Sequence, residues 1–143
     1  MDIQFALLAD HAEIVSGKLY LMGGGWTTSY APAAPATIRL AIVVGVRVGW
    51  EETNQPVPVR MTVENDDGQE FVRIDGQVNV GRPVGLAPGA SQLAQMAANV
   101  PVTLPGFGGY RVHIVAGGEA SPVEENLPFR LEQRGEPPPP RHP

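Results

Sequence analysis

Apolar and polar residues alternate along much of the chain with a period of two, and the longest example covers residues 37–48. Arg39 and Arg47 belong to one face of this segment, whereas the other face is wholly apolar and consists of Ile38, Leu40, Ile42, Val44, Val46 and Val48. Strict alternation of this length is typical of an antiparallel β-strand that buries one face. The pattern therefore predicts a half-buried strand whose solvent-facing side carries the two arginines.

Residues 57–64 repeat this alternation and lead into Asn65-Asp66-Asp67-Gly68, after which a further run covers residues 70–74. An Asp-Gly step between two alternating runs is among the strongest short-range signals of a β-hairpin. We therefore expect two adjacent antiparallel strands here, joined by a tight turn.

Shorter runs of the same kind predict further strands over residues 3–9, 18–22, 99–104, 110–115 and 126–131. Because proline cannot donate to a strand ladder, Pro58, Pro101 and Pro128 indicate strands that lie at sheet edges or begin there. Such edges favour an open sandwich over a closed barrel. We therefore expect an all-β domain over residues 1–134, a single antiparallel β-sandwich of about seven to eight strands that is immunoglobulin-like or C2-like.

Two segments lack this alternation. Ser91 is suited to cap a short helix over residues 91–98, and a mobile crossover loop is the alternative for the same stretch. Residues 135–143 contain four consecutive prolines, which predict a disordered, extended polyproline II tail outside the domain. A short ligand for a proline-binding groove is the functional alternative for this tail.

Composition and charge narrow the classes of function. The 143 residues include no cysteine, which excludes a disulfide scaffold, a cysteine-based zinc site and a cysteine nucleophile. A formal net charge of −5 argues against a general nucleic-acid binder, whose footprint is a basic stripe. The start of the chain lacks a basic leader, and no apolar run reaches the ~18 residues of a membrane span. We expect a cytoplasmic protein of bacterial type that binds neither nucleic acid nor membrane.

Catalytic signatures are weak throughout the sequence. Gly23-Gly24-Gly25 precedes Trp26 and lacks the Lys-Ser/Thr of a phosphate-binding loop, and the chain has three histidines but no GxSxG elbow. A hydrolase that uses two carboxylates remains an alternative only if the fold brings two acidic side chains together in a pocket. We therefore expect a protein that is not an enzyme, with no catalytic residue and no cofactor.

Binding residues are suggested by two kinds of pattern. Acidic groups cluster at Asp10-His11-Ala12-Glu13 and over residues 64–67, where oxygen ligands for a divalent ion or ordinary solvated turns are the alternatives. Aromatic residues with small polar neighbours suit a carbohydrate or protein contact, and the alternative is that each ring caps an open end of the core. The candidate ligand or partner contacts are Trp26, Tyr30, Trp50, Asp10 and His11.

A resemblance to a known family adds to this interpretation. The opening segment resembles the start of a family of small uncharacterised bacterial proteins, through Phe5-Ala6-Leu7-Leu8-Ala9-Asp10-His11-Ala12-Glu13, Gly17-Lys18-Leu19-Tyr20 and Gly23-Gly24-Gly25-Trp26. The same pattern continues through residues 99–106, 109–110 and 127–129, so the resemblance spans most of residues 3–131. That family is a domain of unknown function, and the resemblance implies an all-β fold without implying any catalytic residue.

These observations favour a non-enzymatic protein-binding or assembly module. Edge strands and loop aromatics would contact a protein partner or a second copy of the chain. The alternative is a metal- or carbohydrate-binding β-sandwich domain that uses the acidic clusters or the loop carrying Trp26 and Tyr30.

Overall fold

The computed structural model describes residues 1–135, and this part of the chain is all-β, as predicted. It contains ten strands rather than the seven to eight expected, together with one turn of 3-10 helix at Trp50–Glu52. The strands are β1 (Asp2–Ala9), β2 (His11–Val15), β3 (Lys18–Met22), β4 (Thr28–Ala31), β5 (Ala36–Val48), β6 (Val57–Asn65), β7 (Glu70–Val78), β8 (Gln92–Leu104), β9 (Gly108–Ala116) and β10 (Val123–Gln133).

The strands form three sheets. A three-stranded sheet has the order β1-β5-β8, a five-stranded sheet has the order β4-β10-β9-β6-β7, and β2 and β3 form a separate two-stranded hairpin. All pairings are antiparallel except that of β4 with β10. The two larger sheets bury one common core, to which β5, β6, β9 and β10 contribute most of the large side chains.

Strand β5 lies at the centre of the three-stranded sheet and explains the longest alternating pattern. Its predicted apolar face lies in the common core, which confirms the prediction for that side. On the other face Ala41 and Val43 are fully buried, so the expectation of a solvent-facing side is wrong at its centre. The β2–β3 hairpin covers these two residues, whereas Arg39 remains exposed and Arg47 is half-buried beyond the covered stretch.

The predicted hairpin at Asn65–Gly68 is confirmed by the pairing of β6 with β7. Asn65 stabilises the turn, because its Oδ1 accepts hydrogen bonds from the backbone amides of Asp67 and Gln69 at 3.0 and 2.9 Å. Gly68 has φ of +83°, a conformation that glycine adopts without a steric penalty.

The short helix and the mobile crossover loop, which were the alternatives for residues 91–98, are both wrong, because residues 92–98 form the first half of β8. The strand pairs with β5 along its whole length, from Gln92 opposite Val48 to Leu104 opposite Ala36. Alanine has a low intrinsic preference for strands, yet pairing and burial override such preferences. The small side chains Ala94 and Ala97 fit because each contacts one of the two apolar clusters on either side of this sheet.

The edge-strand predictions made from the three prolines differ in their outcome. Pro101 lies in β8, an edge strand, as predicted. Pro58 is the second residue of the internal strand β6, whose pairing with β9 begins at Val59, so it marks a strand start. Pro128 lies within the internal strand β10, where the edge prediction is wrong. It is tolerated there because β4 pairs only with residues 130–133 of β10.

The predicted disordered tail begins at Gly135, and residues 136–143 lie outside the described residues. Within the described part of the chain, no helix has the length and apolar character needed to cross a membrane.

Candidate functional site

The β2–β3 hairpin is the most distinctive surface feature of the molecule. A two-residue turn joins its strands, and both turn residues have positive φ, +50° at Ser16 and +75° at Gly17. Two consecutive residues of this kind are typical of the type I′ turn, whose twist matches that of an antiparallel strand pair. The strands therefore pair in one register, from Val15 opposite Lys18 to His11 opposite Met22.

Side chains of β8 fasten the hairpin to the three-stranded sheet. The amide of Ala12 donates to Oδ1 of Asn99 at 3.0 Å, and Nδ2 of Asn99 donates to the carbonyl of Ala12 at 2.7 Å. Nε2 of Gln95 donates to the carbonyl of Gly17 in the turn at 3.0 Å. The carboxamide of Asn99 thus forms hydrogen bonds with both the amide and the carbonyl of the buried Ala12, as the backbone of a neighbouring strand would.

The face of the hairpin that turns towards the protein is apolar. Ala12 is buried and Leu19 is partly buried against Ala41, Val43 and Ala97 of the sheet. Because side chains alternate across a strand, Ile14 and Leu21 belong to this same face and lie at its rim. The inner face therefore accounts for the burial of the second side of β5.

The hairpin also carries the largest group of exposed large hydrophobic side chains in the described residues. Of the nine exposed large hydrophobic side chains in residues 1–135, five lie on β2 and β3. We refer to these five as the hairpin patch: Ile14, Val15, Tyr20, Leu21 and Met22, of which Tyr20 is 55% and Met22 72% exposed. Val15, Tyr20 and Met22 lie on the outer face of the hairpin, whereas Ile14 and Leu21 lie at the rim of its inner face. Clustered exposed apolar residues on soluble proteins mark interaction sites more often than isolated residues do.

Strand β3 has a free backbone edge. Its sheet contains only β2 and β3, so nothing pairs with its second side within the described chain. The backbone groups of Ala12 point away from β3, towards Asn99, so those of Leu21 directly opposite point away from β2. Leu19, two residues earlier, has the same orientation. The edge therefore presents two amides and two carbonyls to the outside.

Charge at the hairpin is balanced. Residues 11–22 contain one acidic group, Glu13, and one basic group, Lys18, whereas the whole chain has a formal net charge of −5. Nε2 of His11 lies 3.0 Å from Oε1 of Glu13, and both side chains are about half-exposed. The hairpin is thus an apolar, nearly neutral surface on an acidic protein.

A groove beside the hairpin contains two of the predicted contact residues. It is open, has a volume of about 390 Å³, and is lined by Asp10, Gly23, Gly24, Gly25, Trp26, Thr28 and Ser29. The carboxylate of Asp10 lies against Gly23, where a Cβ would have to displace it, and the φ of +64° at Gly23 also favours glycine. The indole of Trp26 contacts Phe129 edge to face at 6.0 Å between ring centroids. Its Nε1 is buried without a hydrogen-bond partner among residues 1–135.

The other predicted contact residues lie elsewhere. Tyr30 is on β4, with the guanidinium of Arg134 4.9 Å from its ring centroid. Trp50 is in the 3-10 turn, with the guanidinium of Arg82 3.8 Å above its ring. His11 is on the hairpin. The structure therefore brings only Asp10 and Trp26 of the five into one groove.

The acidic residues of the β6–β7 turn point in different directions. Nε of Arg111 donates to Oε1 of the buried Glu64, whereas the carboxylate of Asp66 lies against Gly109. Among the described residues, no group of three or more His, Asp or Glu side chains is placed to hold a metal ion.

The sequence did not lead us to the hairpin patch or to Asn99, whose side chain attaches the hairpin to the sheet. The signal for the patch was present, because Ser16-Gly17 separates two short alternating runs at residues 11–15 and 18–22. Only the second of those runs was predicted as a strand. No local signal marks Asn99, because its role depends on a contact with a residue 87 positions away.

In a comparison with protein families, a family model matches most of the chain. The model described as a family of unknown function (DUF6941) matches residues 4–131, close to the span of the resemblance noted from the sequence. No curated protein matches the chain.

Proposed function

The chain belongs to the DUF6941 family, whose function is unknown, and we propose that it is a non-enzymatic protein-binding or assembly module. The observation that carries this proposal is the hairpin patch. Its members lie together on a single two-stranded element, whereas the other exposed large hydrophobics of the described chain are on different elements. A surface of this kind is typical of a site that a partner covers.

The patch is larger than the hairpin itself requires. The inner residues Ala12 and Leu19 and the bonds from Asn99 account for how the hairpin is attached. The outward-facing side chains Tyr20 and Met22 are not needed for that attachment. Full burial of one such side chain contributes about 1.5–3 kcal/mol, so covering the patch would supply a large part of a binding free energy.

Three further features of the proposal rest on the sequence and the fold. The two larger sheets and their common core support a β-sandwich of the immunoglobulin-like or C2-like kind. The strong preference for arginine, with Lys18 as the single lysine, supports a bacterial source with a GC-rich genome. The acidic net charge supports a protein that binds neither nucleic acid nor membrane, and a cytoplasmic location is part of the same proposal.

The experiment compares two lysine variants of the full chain as bait in extracts of the source cell. Met22→Lys places a charge in the hairpin patch, and Val84→Lys places one at an even more exposed apolar residue outside it. The proposal predicts a partner, or a second copy of the chain, that the native protein and Val84→Lys retain and Met22→Lys loses. A native protein that is monomeric and retains nothing, or retention that Met22→Lys leaves unchanged, would contradict it.

A second candidate function is the binding of a carbohydrate in the groove beside the hairpin. The placement of Trp26 in this groove favours it, because an aromatic ring beside small polar side chains suits a carbohydrate contact. Asp10, Thr28 and Ser29 line the same groove and offer further oxygen atoms. Calorimetry with a panel of glycans tests this candidate. Binding that Asp10→Ala weakens would support it, since Asp10 is exposed and lines the groove, and no heat with any glycan would eliminate it.

A further inference from the structure

We propose that two copies of the chain associate through their β3 strands, which pair antiparallel across a two-fold axis at Tyr20. This inference rests on the proposed function and specifies its partner as a second copy. The resulting sheet would have four strands in the order β2-β3-β3-β2, with one hairpin from each copy.

The free edge of β3 determines what kind of partner it can take. Leu19 and Leu21 each present an amide and a carbonyl that point away from β2, as the bonds from Ala12 to Asn99 require. A row of unpaired backbone groups at this spacing is complementary to another β-strand. The edge carries no proline and a single charge, Lys18, so the usual devices that block strand addition are weak here.

The same alternation determines the register. When Tyr20 of one copy faces Tyr20 of the other, antiparallel pairing places Leu19 of each copy opposite Leu21 of its partner. Those two leucine pairs exchange four backbone hydrogen bonds. Tyr20 and its symmetry mate form the pair between them, where Cα atoms lie only ~4.5 Å apart and the side chains are closest. Of the registers open to these strands, this one uses all four free backbone groups of the two leucines.

Side-chain chemistry in this register is self-complementary. The two tyrosines meet on the outer face, and aromatic pairs across strands are favourable. Lys18 of each copy lies opposite Met22 of the other, so no like charges face one another. The balanced charge of residues 11–22 matters as well, because two copies of an acidic protein approach most readily through a neutral surface. These features select a second copy over an unrelated strand.

A single introduced cysteine tests the geometry, because the native chain contains none. Tyr20→Cys would bring two thiols together at the two-fold axis, at a Cα separation within the range of disulfides. The matched control is Val84→Cys, an exposed apolar position away from the hairpin. Under mild oxidation we expect Tyr20→Cys to form covalent dimers at least about tenfold faster than Val84→Cys, because association raises the effective thiol concentration.

A charge-swap pair tests the symmetry without any covalent bond. Tyr20→Lys and Tyr20→Glu each place like charges opposite one another, so we expect each variant alone to be monomeric by light scattering after size exclusion. An equimolar mixture should restore the dimer, because lysine then faces glutamate. This rescue requires residue 20 to face itself, and a variant that failed to fold could not produce it.

The possible outcomes separate this inference from the proposed function. Equal cross-linking rates for the two cysteine variants, or a native chain that stays monomeric at its highest soluble concentration, would overturn the β3 pairing. If such a monomer still retained another protein that Met22→Lys lost, the assembly function would stand without the dimer. If it retained nothing, both proposals would fail.

Discussion

Replacement of Asn99 by alanine should release the β2–β3 hairpin while leaving the two larger sheets folded. The variant loses both bonds to Ala12, at 3.0 and 2.7 Å, and leaves a buried amide and carbonyl without protein partners. An unsatisfied buried group costs about 1–3 kcal/mol. Because Asn99 itself is exposed, water can enter beside it and recover part of this loss. We therefore expect a loss of about 2 kcal/mol in the local stability of the hairpin.

Hydrogen exchange of backbone amides, read by NMR, measures this loss directly. A local change of about 2 kcal/mol corresponds to exchange roughly thirtyfold faster for amides of β2 and β3. Amides of β6 and β9 should keep their protection, because they lie in the other sheet. The matched control is Asn126→Ala, an exposed strand asparagine on β10, which should leave the hairpin unchanged.

A second substitution at the same residue tests the direction of the hydrogen bonds. Asn99→Asp keeps the acceptor for the amide of Ala12 but turns a carboxylate oxygen towards its carbonyl. The carboxylate is disfavoured there, so the pKa of the introduced group should be higher in the folded protein than in the unfolded chain. Hairpin protection should therefore increase as pH falls through that pKa, because the protonated acid donates as the amide did. Unchanged hairpin exchange in Asn99→Ala, or protection in Asn99→Asp that is independent of pH, would refute the anchoring role.

Three further predictions concern other parts of the fold. Gly45→Ala should lower the free energy of unfolding by about 1–3 kcal/mol in denaturant titrations, because a Cβ there would lie 2.2 Å from the Phe5 ring. Adding Phe5→Ala to this variant should recover part of the lost free energy. Met61→Ala should cost about 2–5 kcal/mol by the same measurement, because Met61 is fully buried in the common core. The hydrogen bond from Arg73 lowers the pKa of Glu70, so Arg73→Gln should raise that pKa in an NMR titration. The stabilisation from this pair is present above the ordinary pKa of glutamate and is lost as pH falls through the lowered value, and an unchanged Glu70 titration would contradict its assigned cause.

Elements with strong local signals were predictable from the sequence. The alternation of residues 37–48 and the Asp-Gly step before residue 70 identify β5 and the β6–β7 hairpin, because side-chain alternation and turn geometry depend on neighbouring residues. Membership of a family of unknown function was also predictable, because a family resemblance depends only on the order of residues along the chain.

The candidate site was predictable only in pieces. Asp10 and Trp26 were identified by residue type, and the structure places them in one groove, yet Tyr30 and Trp50 lie on separate elements beside arginines. Those arginines, Arg134 and Arg82, are distant in sequence from the rings that they cover. Spacing along the chain therefore gave no indication of these contacts.

The sequence by itself determined the all-β class, the core-facing side of β5 and the positions of the tightest turns, because each depends on local periodicity or on one residue's backbone preference. Tertiary structure alone decided which surfaces are covered. Ala41 and Val43 are buried because the hairpin folds over them, and residues 91–98 are extended because β5 offers a partner along its whole length. The outer face of the hairpin, which carries Val15, Tyr20 and Met22, is exposed for the complementary reason, since a two-stranded element can bury only one of its faces against the protein.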